Sequence, residues 1–554
     1  MADPRLSSNA GTPDIQSRDA DLEAVAEAGL ANQRVMLGHP MGLFLLFVVE
    51  MWERFSYYGM RALLVLYLVA QLNPAPDKNG FMNPGRGWTE PQAYSLYGLY
   101  TGLAYLLPIV GGFIADKLLG THRSMLLGGS MIALGHIVLG ISGIGDMAHS
   151  ALGMSVFIAG LALIVLGTGY FKPTVSVMVG QLYRPGDSRR DGGFSIFYMG
   201  INVGAFICAF ICGTLGEQVG WHWGFGSAAV GMILGLVVYI FGKPILLKGI
   251  GSPPAGKPNY TTPLAVLTLV LAAAVGAAYH AGVFDILGDG MKWLTTRPGA
   301  AVWLPLAIIG ATVAGCGYFI SIQKPEDRGI VFCIFTFILF NAFFWLAFEQ
   351  AGSTLNVFAK ESTDRMIGTY EVPATWFQSI NALLIILFAP VFAAIWAKMG
   401  NRNPTQPVKI SLGLIFLGIG YICMVMGANG AVNGVKVSML FLVGTYFFHT
   451  MGELCLSPTG LSFVTKAAPA RFVSFLMGLW FLSSFVANYG GGLVATYVER
   501  IEKGEIVLPW SSWFADGSRA PFFMLFVVTS LGAGVVILLM TPFLKGLMGS
   551  KVNA

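Results

Sequence analysis

Residues 41–71 read MGLFLLFVVEMWERFSYYGMRALLVLYLVAQ, an apolar stretch long enough to cross a bilayer that nonetheless carries Glu50, Glu53, Arg54 and Arg61. Counting from Glu50, these charges fall at i, i+3, i+4 and i+11, with Tyr57 and Tyr58 at i+7 and i+8. All six therefore share one stripe of an α-helix. A charge at mid-membrane costs roughly 2.5–3.5 kcal/mol even on lenient insertion scales. Four on one helix must face partners or water, so this stripe is the first place to look for function.

The rest of the chain supports a membrane reading. Of 554 residues, 55% are hydrophobic and 11% charged, where soluble domains carry about 25% charge. Apolar runs of spanning length lie at about 41–71, 91–119, 123–145, 152–180, 192–214 and 222–247, then 261–283 and 300–322. A further set follows at about 329–358, 375–398, 408–427, 437–465, 471–496 and 520–545. The prediction is an all-α polytopic protein of fourteen transmembrane helices, arranged six, two and six. The net charge of +5 does not imply a nucleic-acid partner, because the basic residues sit in short loops rather than on one patch.

Basic residues concentrate in alternate loops: Lys117 and Arg123; Arg184, Arg189 and Arg190; Lys243, Lys248 and Lys257; Lys324 and Arg328; Lys398, Arg402 and Lys409; Lys466 and Arg471. Both termini are accordingly expected in the cytoplasm. Residues 1 to about 35 lack the basic start and apolar core of a signal peptide and read as a soluble tail, helical near 22–28. All six cysteines fall in apolar segments without a C-x-x-C pair, and read as reduced packing residues.

The two outer sets resemble each other. Lys172-Pro173-Thr174-Val175-Ser176 in the fourth span matches Ser457-Pro458-Thr459-Gly460-Leu461-Ser462 in the fourth of the last set. Phe197-Tyr198-Met199-Gly200 in the fifth span similarly matches Phe475-Leu476-Met477-Gly478. Two parallel six-helix repeats produce such pairings, with substrate near the midplane between them. The expected organisation is a tail at 1–38, a bundle at 39–250, a linker with two inserted helices at 251–325, a second bundle at 326–547 and a tail at 548–554.

Beyond the first span, the ionisable residues of note inside the membrane are Lys172, Glu349 and Glu453. Together with the stripe they make four carboxylates against three cations. Protonating the surplus carboxylate is less unfavourable than burying it charged, so a proton site is expected in this set. Asp116 and Lys117, with Gly111, Gly112 and Arg123, read as a structural clasp in a G-G-x-x-A-D-K…R loop, and His136 and His449 as satisfied core histidines. Asn202 and Asn381, mid-helix, need bonding partners. Gly98/Gly102, Gly200/Gly204 and Gly231/Gly235 signal close helix packing. No H-E-x-x-H, G-x-S-x-G, P-loop or dinucleotide-binding pattern occurs, so no cofactor, metal or enzymatic activity is expected, and coupling energy should come from an ion gradient.

Taken together, the chain resembles the bacterial proton-dependent oligopeptide transporters of the major facilitator superfamily. The resemblance rests on Glu50-x-x-Glu53-Arg54-Phe55-x-Tyr57-Tyr58-Gly59, on Phe197-Tyr198-x-x-x-Asn202-x-Gly204 and on Gly167-Thr168-Gly169-Tyr170-Phe171-Lys172-Pro173. It extends to Trp345…Glu349, Gly452-Glu453-Leu454…Ser457-Pro458 and Trp480. The likeness implies that Arg54 and Lys172 face a peptide carboxylate and that Glu453 with Asn381 meets its amino group. Tyr57, Tyr58, Tyr105, Asn202, Trp345, Trp480 and Ser484 would complete the substrate site. It implies Glu50, Glu53 and Glu349 as proton groups. Arg61 with Glu349, and Lys172 with Glu453, would act as gates joining the two bundles. Animal members carry a proton-coupling histidine in the second helix; residues 91–119 contain none, so carboxylates must do that work. The expected function is proton-coupled import of di- and tripeptides across the inner membrane by a monomer. Another zwitterionic or anionic substrate is the main alternative, and a membrane-embedded peptidase a distant one.

Overall fold

The computed structural model of the chain describes residues 34–76, 80–184, 186–252, 258–295, 300–469 and 472–548. Of the expected tails, residues 1–33 and 549–554 lie outside these. Six helices form the first half: α1 (Met41–Val69), α2 (Glu90–Ile114), α3 (Gly120–Ile141), α4 (Ala151–Gln181), α5 (Arg190–Cys208) and α6 (Trp221–Leu246). Two follow, α7 (Thr261–His280) and α8 (Ala300–Ser321). The last six are α9 (Pro325–Phe348), α10 (Phe377–Met399), α11 (Gln406–Gly430), α12 (Leu440–Ala467), α13 (Val473–Ala495) and α14 (Ala520–Met548). Among the described residues the six-two-six arrangement is thus present as fourteen long helices. Among the described residues, nine helical stretches are long and apolar enough to cross a membrane by composition alone. The charged stripe keeps α1 out of that set.

Local chemistry starts several helices. Before α2, the Thr89 N–H donates to Gln92 Oε1 at 3.1 Å, and Pro91 occupies the first turn. The Ser150 hydroxyl accepts from the Gly153 N–H at 3.0 Å to open α4. Pro325, Glu326 and Asp327 open α9 with a proline and two charges that complement the helix dipole.

Lipid cannot drive helices together by hydrophobic burial, so close approach of small residues does much of the packing. The glycine pairs read from the sequence serve this purpose. A Cβ at Gly98 of α2 would stand 2.8 Å from the Gly492 Cα of α13, and one at Gly102 would meet Phe485 at 3.1 Å. Gly200 and Gly204 of α5 pack on Phe47 and Met51 of α1, and Gly231 and Gly235 of α6 on Phe55 and Trp52. Exposed apolar side chains such as Phe241, Val270, Leu539 and Phe543 form the outer surface, as a lipid-facing belt requires. Among the described residues no disulfide joins the cysteines, and four of the six are buried.

Three expectations need correction. The G-G-x-x-A-D-K…R segment is no loop: a π-helical turn at Ala115–Leu119 carries α2 directly into α3, and the chain redirects at Gly120, whose φ of +74° suits glycine. Asp116 and Lys117 are exposed there rather than clasped. The span read as 329–358 breaks where the helix relaxes into a 3-10 turn at Glu349–Gly352, followed by a short helix at Thr354–Glu361. His136 is buried but not satisfied: neither ring nitrogen has a hydrogen-bond partner, and the ring packs as an apolar plug.

The halves meet where α2 packs on α13 and α5 on α10, while α7 lies against α4 and α3. Hydrogen bonds joining the halves cluster toward the face opposite the termini. The Asn356 amide donates to the Ala62 carbonyl at 2.8 Å, and the Trp376 indole N–H to Thr214 Oγ1 at 2.9 Å. Glu217, after α5, accepts from Lys360 at 2.8 Å and from both the N–H and hydroxyl of Thr375 at 2.9 Å.

Arg519, just before α14, joins the same face. Its guanidinium lies 2.6 Å from Glu90 in the first half, 2.9 Å from Glu502 and 3.4 Å from Glu361. Burial opposes its charge, yet Glu90, Tyr94, Glu502 and Glu361 hold its pKa above the ordinary arginine value. Replacing it by methionine strands three neighbouring carboxylates. Arg519→Met is expected to destabilise the protein by about 3 kcal/mol, read as a fall in the thermal unfolding midpoint in detergent. An unchanged midpoint would remove this cluster as a tie between the halves.

Candidate functional site

A cavity of about 310 Å³ opens between the halves at mid-height of the bundle, within the size range of small-ligand sites. Its walls include Glu50, Arg54, Tyr58 and Arg61 of α1, Tyr105 of α2, Lys172 of α4 and Asn202 of α5. The second half supplies Trp345 of α9, Glu349, Asn381 of α10 and Glu453 of α12. Eleven of the residues marked in the sequence thus line one space.

The α1 stripe divides within this arrangement. At about 100° per residue, Glu50, Arg61, Arg54 and Tyr58 fan across one edge of the helix, while Tyr57 and Glu53 trail to the other side. The first four line the cavity. Glu53 and Tyr57 stand behind it, 1% and 3% exposed, with the Arg54 guanidinium 5.6 Å from the Tyr57 ring centre. Trp480 and Ser484 line an adjoining cavity of about 180 Å³ that shares Tyr105, Trp345 and Glu349 with the main one.

Charges are distributed unevenly. Arg54 serves two carboxylates, its Nε lying 2.8 Å from Glu50 Oε1 and 2.7 Å from Glu53 Oε2. Arg61 pairs with Glu349 across the two halves and donates through Nε to the Tyr97 hydroxyl at 2.6 Å. Two arginines therefore face three carboxylates, all largely buried, and the surplus of the sequence arithmetic falls on Arg54.

Lys172 and Glu453 stand apart from this set. The Lys172 ammonium sits 3.5 Å from the centre of the Tyr105 ring, a cation–π contact. Glu453 Oε2 accepts from the Asn381 amide at 2.9 Å, and the same amide donates to Thr450 Oγ1 at 3.1 Å. The expected Lys172–Glu453 bridge is not formed. The halves are drawn together at the face opposite the termini, and in this arrangement α4 and α12 present the two charges to the cavity instead of to each other. Asn202 satisfies itself by donating to the Tyr198 carbonyl at 3.0 Å.

Tyr97 escaped the sequence reading although it receives Arg61. Its only local signal is the tyrosine-rich face of α2, with Tyr94, Tyr100 and Tyr105. The Arg519 cluster also escaped, because its partners Glu90, Glu361 and Glu502 lie far apart in sequence, at the ends of three separate helices. Among the described residues no group of three or more His, Cys, Asp or Glu side chains is arranged to hold a metal ion.

Two helical bundles around a central charged cavity, with a helix pair inserted between them, define a polytopic carrier of the major facilitator type. The comparisons with known proteins then narrow the class. A model of the POT family matches residues 122–513. The chain is 38% identical to the peptide transporter YePEPT of Yersinia enterocolitica, over 84% of this chain and 89% of that one. It is 37% identical to a di-/tripeptide transporter of Lactococcus lactis subsp. cremoris, over 82% and 88%. A crystal structure of a peptide transporter POT in complex with sulfate superposes with a TM-score of 0.76 at 37% identity, covering 95% of this chain and 99% of that one. A POT family transporter in complex with 5-aminolevulinic acid gives 0.74 at 29% identity, over 93% and 98%. This chain belongs to the POT family.

Proposed function

We propose that the chain is a proton-coupled importer of di- and tripeptides that works by alternating access. One observation carries this reading. A cation, Lys172, and an anion, Glu453, line the same cavity from opposite halves, and among the described residues neither is paired with an opposite charge. A zwitterion supplies both missing partners and, in doing so, draws the halves together. An extended chain grows by only about 3.3–3.6 Å per residue, so di- and tripeptides fit a site whose poles shift slightly, while α-amino acids fall short. The names of the curated relatives point to the same substrates.

Proton coupling follows from the charge count. Arg54 already serves Glu50 and Glu53. A peptide carboxylate arriving at Arg54 and Lys172 adds another anion, and protonation of Glu50 or Glu53 restores the balance. Protonation of Glu349 releases Arg61, loosening the contacts that hold the face opposite the termini closed. These groups are electrostatically coupled and act as a set. On the positive-inside pattern the termini are cytoplasmic, so the present arrangement is closed to the periplasm and faces the cytoplasm. The chain acts in the inner membrane as a monomer and releases its substrate uncleaved.

The test is uptake of a hydrolysis-resistant dipeptide into proteoliposomes under an imposed pH gradient. Accumulation of intact peptide above equilibrium, collapsing with a protonophore, is the expected result. Uptake indifferent to the gradient would overturn proton coupling. The structure of a family member with 5-aminolevulinic acid favours one broader reading, in which any zwitterion with suitably separated charges is carried. Competition by 5-aminolevulinic acid, a dipeptide, an α-amino acid and nitrate separates the readings.

A further inference from the structure

The end of α5 that reaches the second half is not a regular helix. Directly after Cys208 the chain passes through a π-helical turn at Ala209–Gly213 and resumes as a short helix at Thr214–Gln218. Hydrogen bonds in such a turn span five residues instead of four, so it inserts one residue. One residue is about 100° of helix rotation, and everything after the turn is re-aimed by that angle. The turn stands between two places that matter for transport. Before and within it, Ala205, Cys208 and Ala209 line the main cavity. After it come Thr214 and Glu217, which receive Trp376, Lys360 and Thr375 of the second half. The approach is close: a Cβ at Gly213 would collide with Thr375 Oγ1. Without the inserted residue, Glu217 would point about 100° away from these partners.

One side chain of the second half bonds to the backbone that leads into this turn. Ser379 of α10, 2% exposed, donates its hydroxyl hydrogen to the Phe206 carbonyl at 2.8 Å. Phe206 lies three residues before the π-helical turn, and a side chain that enters the backbone ladder is a recognised cause of local distortion in a helix. Two residues further along α10, Asn381 lines the main cavity and holds Glu453 at 2.9 Å. A ligand ammonium drawn to Glu453 therefore acts on the same helix that steadies the turn.

We propose that Ser379 is a positioning residue for alternating access: it holds α5 in its π-helical register, and that register brings Glu217 to Lys360 and Thr375 and keeps the periplasmic face closed. Release of the Phe206 carbonyl lets the turn relax toward a regular helix, which swings Glu217 off its partners and frees the face to open. Occupation of the cavity reaches the outer contact through α10 and α5, separately from the Arg61–Glu349 pair. The inference rests on the proposed import of peptides.

The test is the initial rate of labelled Ala-Ala uptake into proteoliposomes by the wild type, Ser379→Ala, Glu217→Gln and the double variant. Apparent affinity scales with the fraction of carrier open to the substrate, and the arrangement described here is closed on that side. Each single variant is therefore expected to lower KM for external peptide about three- to tenfold with the maximal rate retained. In the double variant KM falls no further than in Glu217→Gln alone, because both changes act through one contact. Deletion of Ile211, an exposed residue of the π-helical turn, should reproduce the fall; where that protein does not assemble, the substitution cycle decides alone. A KM for Ser379→Ala at or above the wild-type value overturns the proposal, whatever happens to the maximal rate. Multiplied effects in the double variant overturn the route through Glu217, and a wild-type KM after the deletion overturns the part played by the turn. Failure of Ala-Ala to enter by the wild type would instead overturn the proposed function on which the inference depends.

Discussion

Glu349→Gln is expected to abolish gradient-driven dipeptide uptake. The glutamine keeps the size of the side chain and removes only its charge, leaving Arg61 buried with the Tyr97 hydroxyl as its remaining close partner. Removing one member of a buried ion pair typically costs about 3–5 kcal/mol. A bias of that size on the equilibrium between the two open states lowers concentrative uptake by two orders of magnitude or more, since 1.4 kcal/mol is about a factor of ten. The sign of the pH response is diagnostic. Wild-type uptake rises as the outer compartment is acidified, because protonation of the carboxylate set admits the substrate anion and releases Arg61. The glutamine imitates a permanently protonated residue, so the variant's remaining transport keeps only the shallower dependence that Glu50 and Glu53 supply. Measurement is by uptake at a series of external pH values, with exchange of labelled for unlabelled peptide as the check that the carrier still binds substrate. Full gradient-driven uptake in the variant would remove Glu349 from the coupling mechanism.

Glu453→Gln should weaken the affinity for dipeptides by roughly 10- to 100-fold, the range for a charge-assisted hydrogen bond of about 1.5–3 kcal/mol. The carboxylate is held by Asn381 and faces the cavity without a cationic partner among the described residues, so its charge is free for a ligand's ammonium group. Glutamine retains the shape and one acceptor oxygen but forfeits the ionic component. An N-acetylated dipeptide has no ammonium group, and its weak competition should be unchanged by the substitution. Equal losses for the free and the acetylated peptide would mean that Glu453 acts through the packing of α12 instead of through substrate charge.

The residues behind these two predictions differ in how far the sequence reveals them. Glu349 and Glu453 stand out because a carboxylate inside a spanning segment is conspicuous in any window. Glu50, Glu53, Arg54 and Arg61 declare a shared face through helical spacing. Which of them touches the cavity is not written in that spacing: Glu53 lies behind Arg54 because the tilt and rotation of α1 are set by Phe47, Met51, Trp52 and Phe55 against the glycines of α5 and α6. The resemblance implies a bridge between Lys172 and Glu453, whereas the structure turns Lys172 to Tyr105 and Glu453 to Asn381.

The sequence by itself determined the number of long helices, their approximate limits, the glycine contacts and the set of buried charges. Each is a local property, summed over one span or read from one helical period, and the bilayer enforces it by excluding unpaired backbone and isolated charge. Tertiary structure alone decided which charge meets which, that two arginines face three carboxylates, and that the closing contacts gather at Glu217 and Arg519. Those outcomes depend on helices distant in sequence arriving at set rotations and depths. A shift of one helix by a few ångströms exchanges the partners without altering a single residue of the pattern.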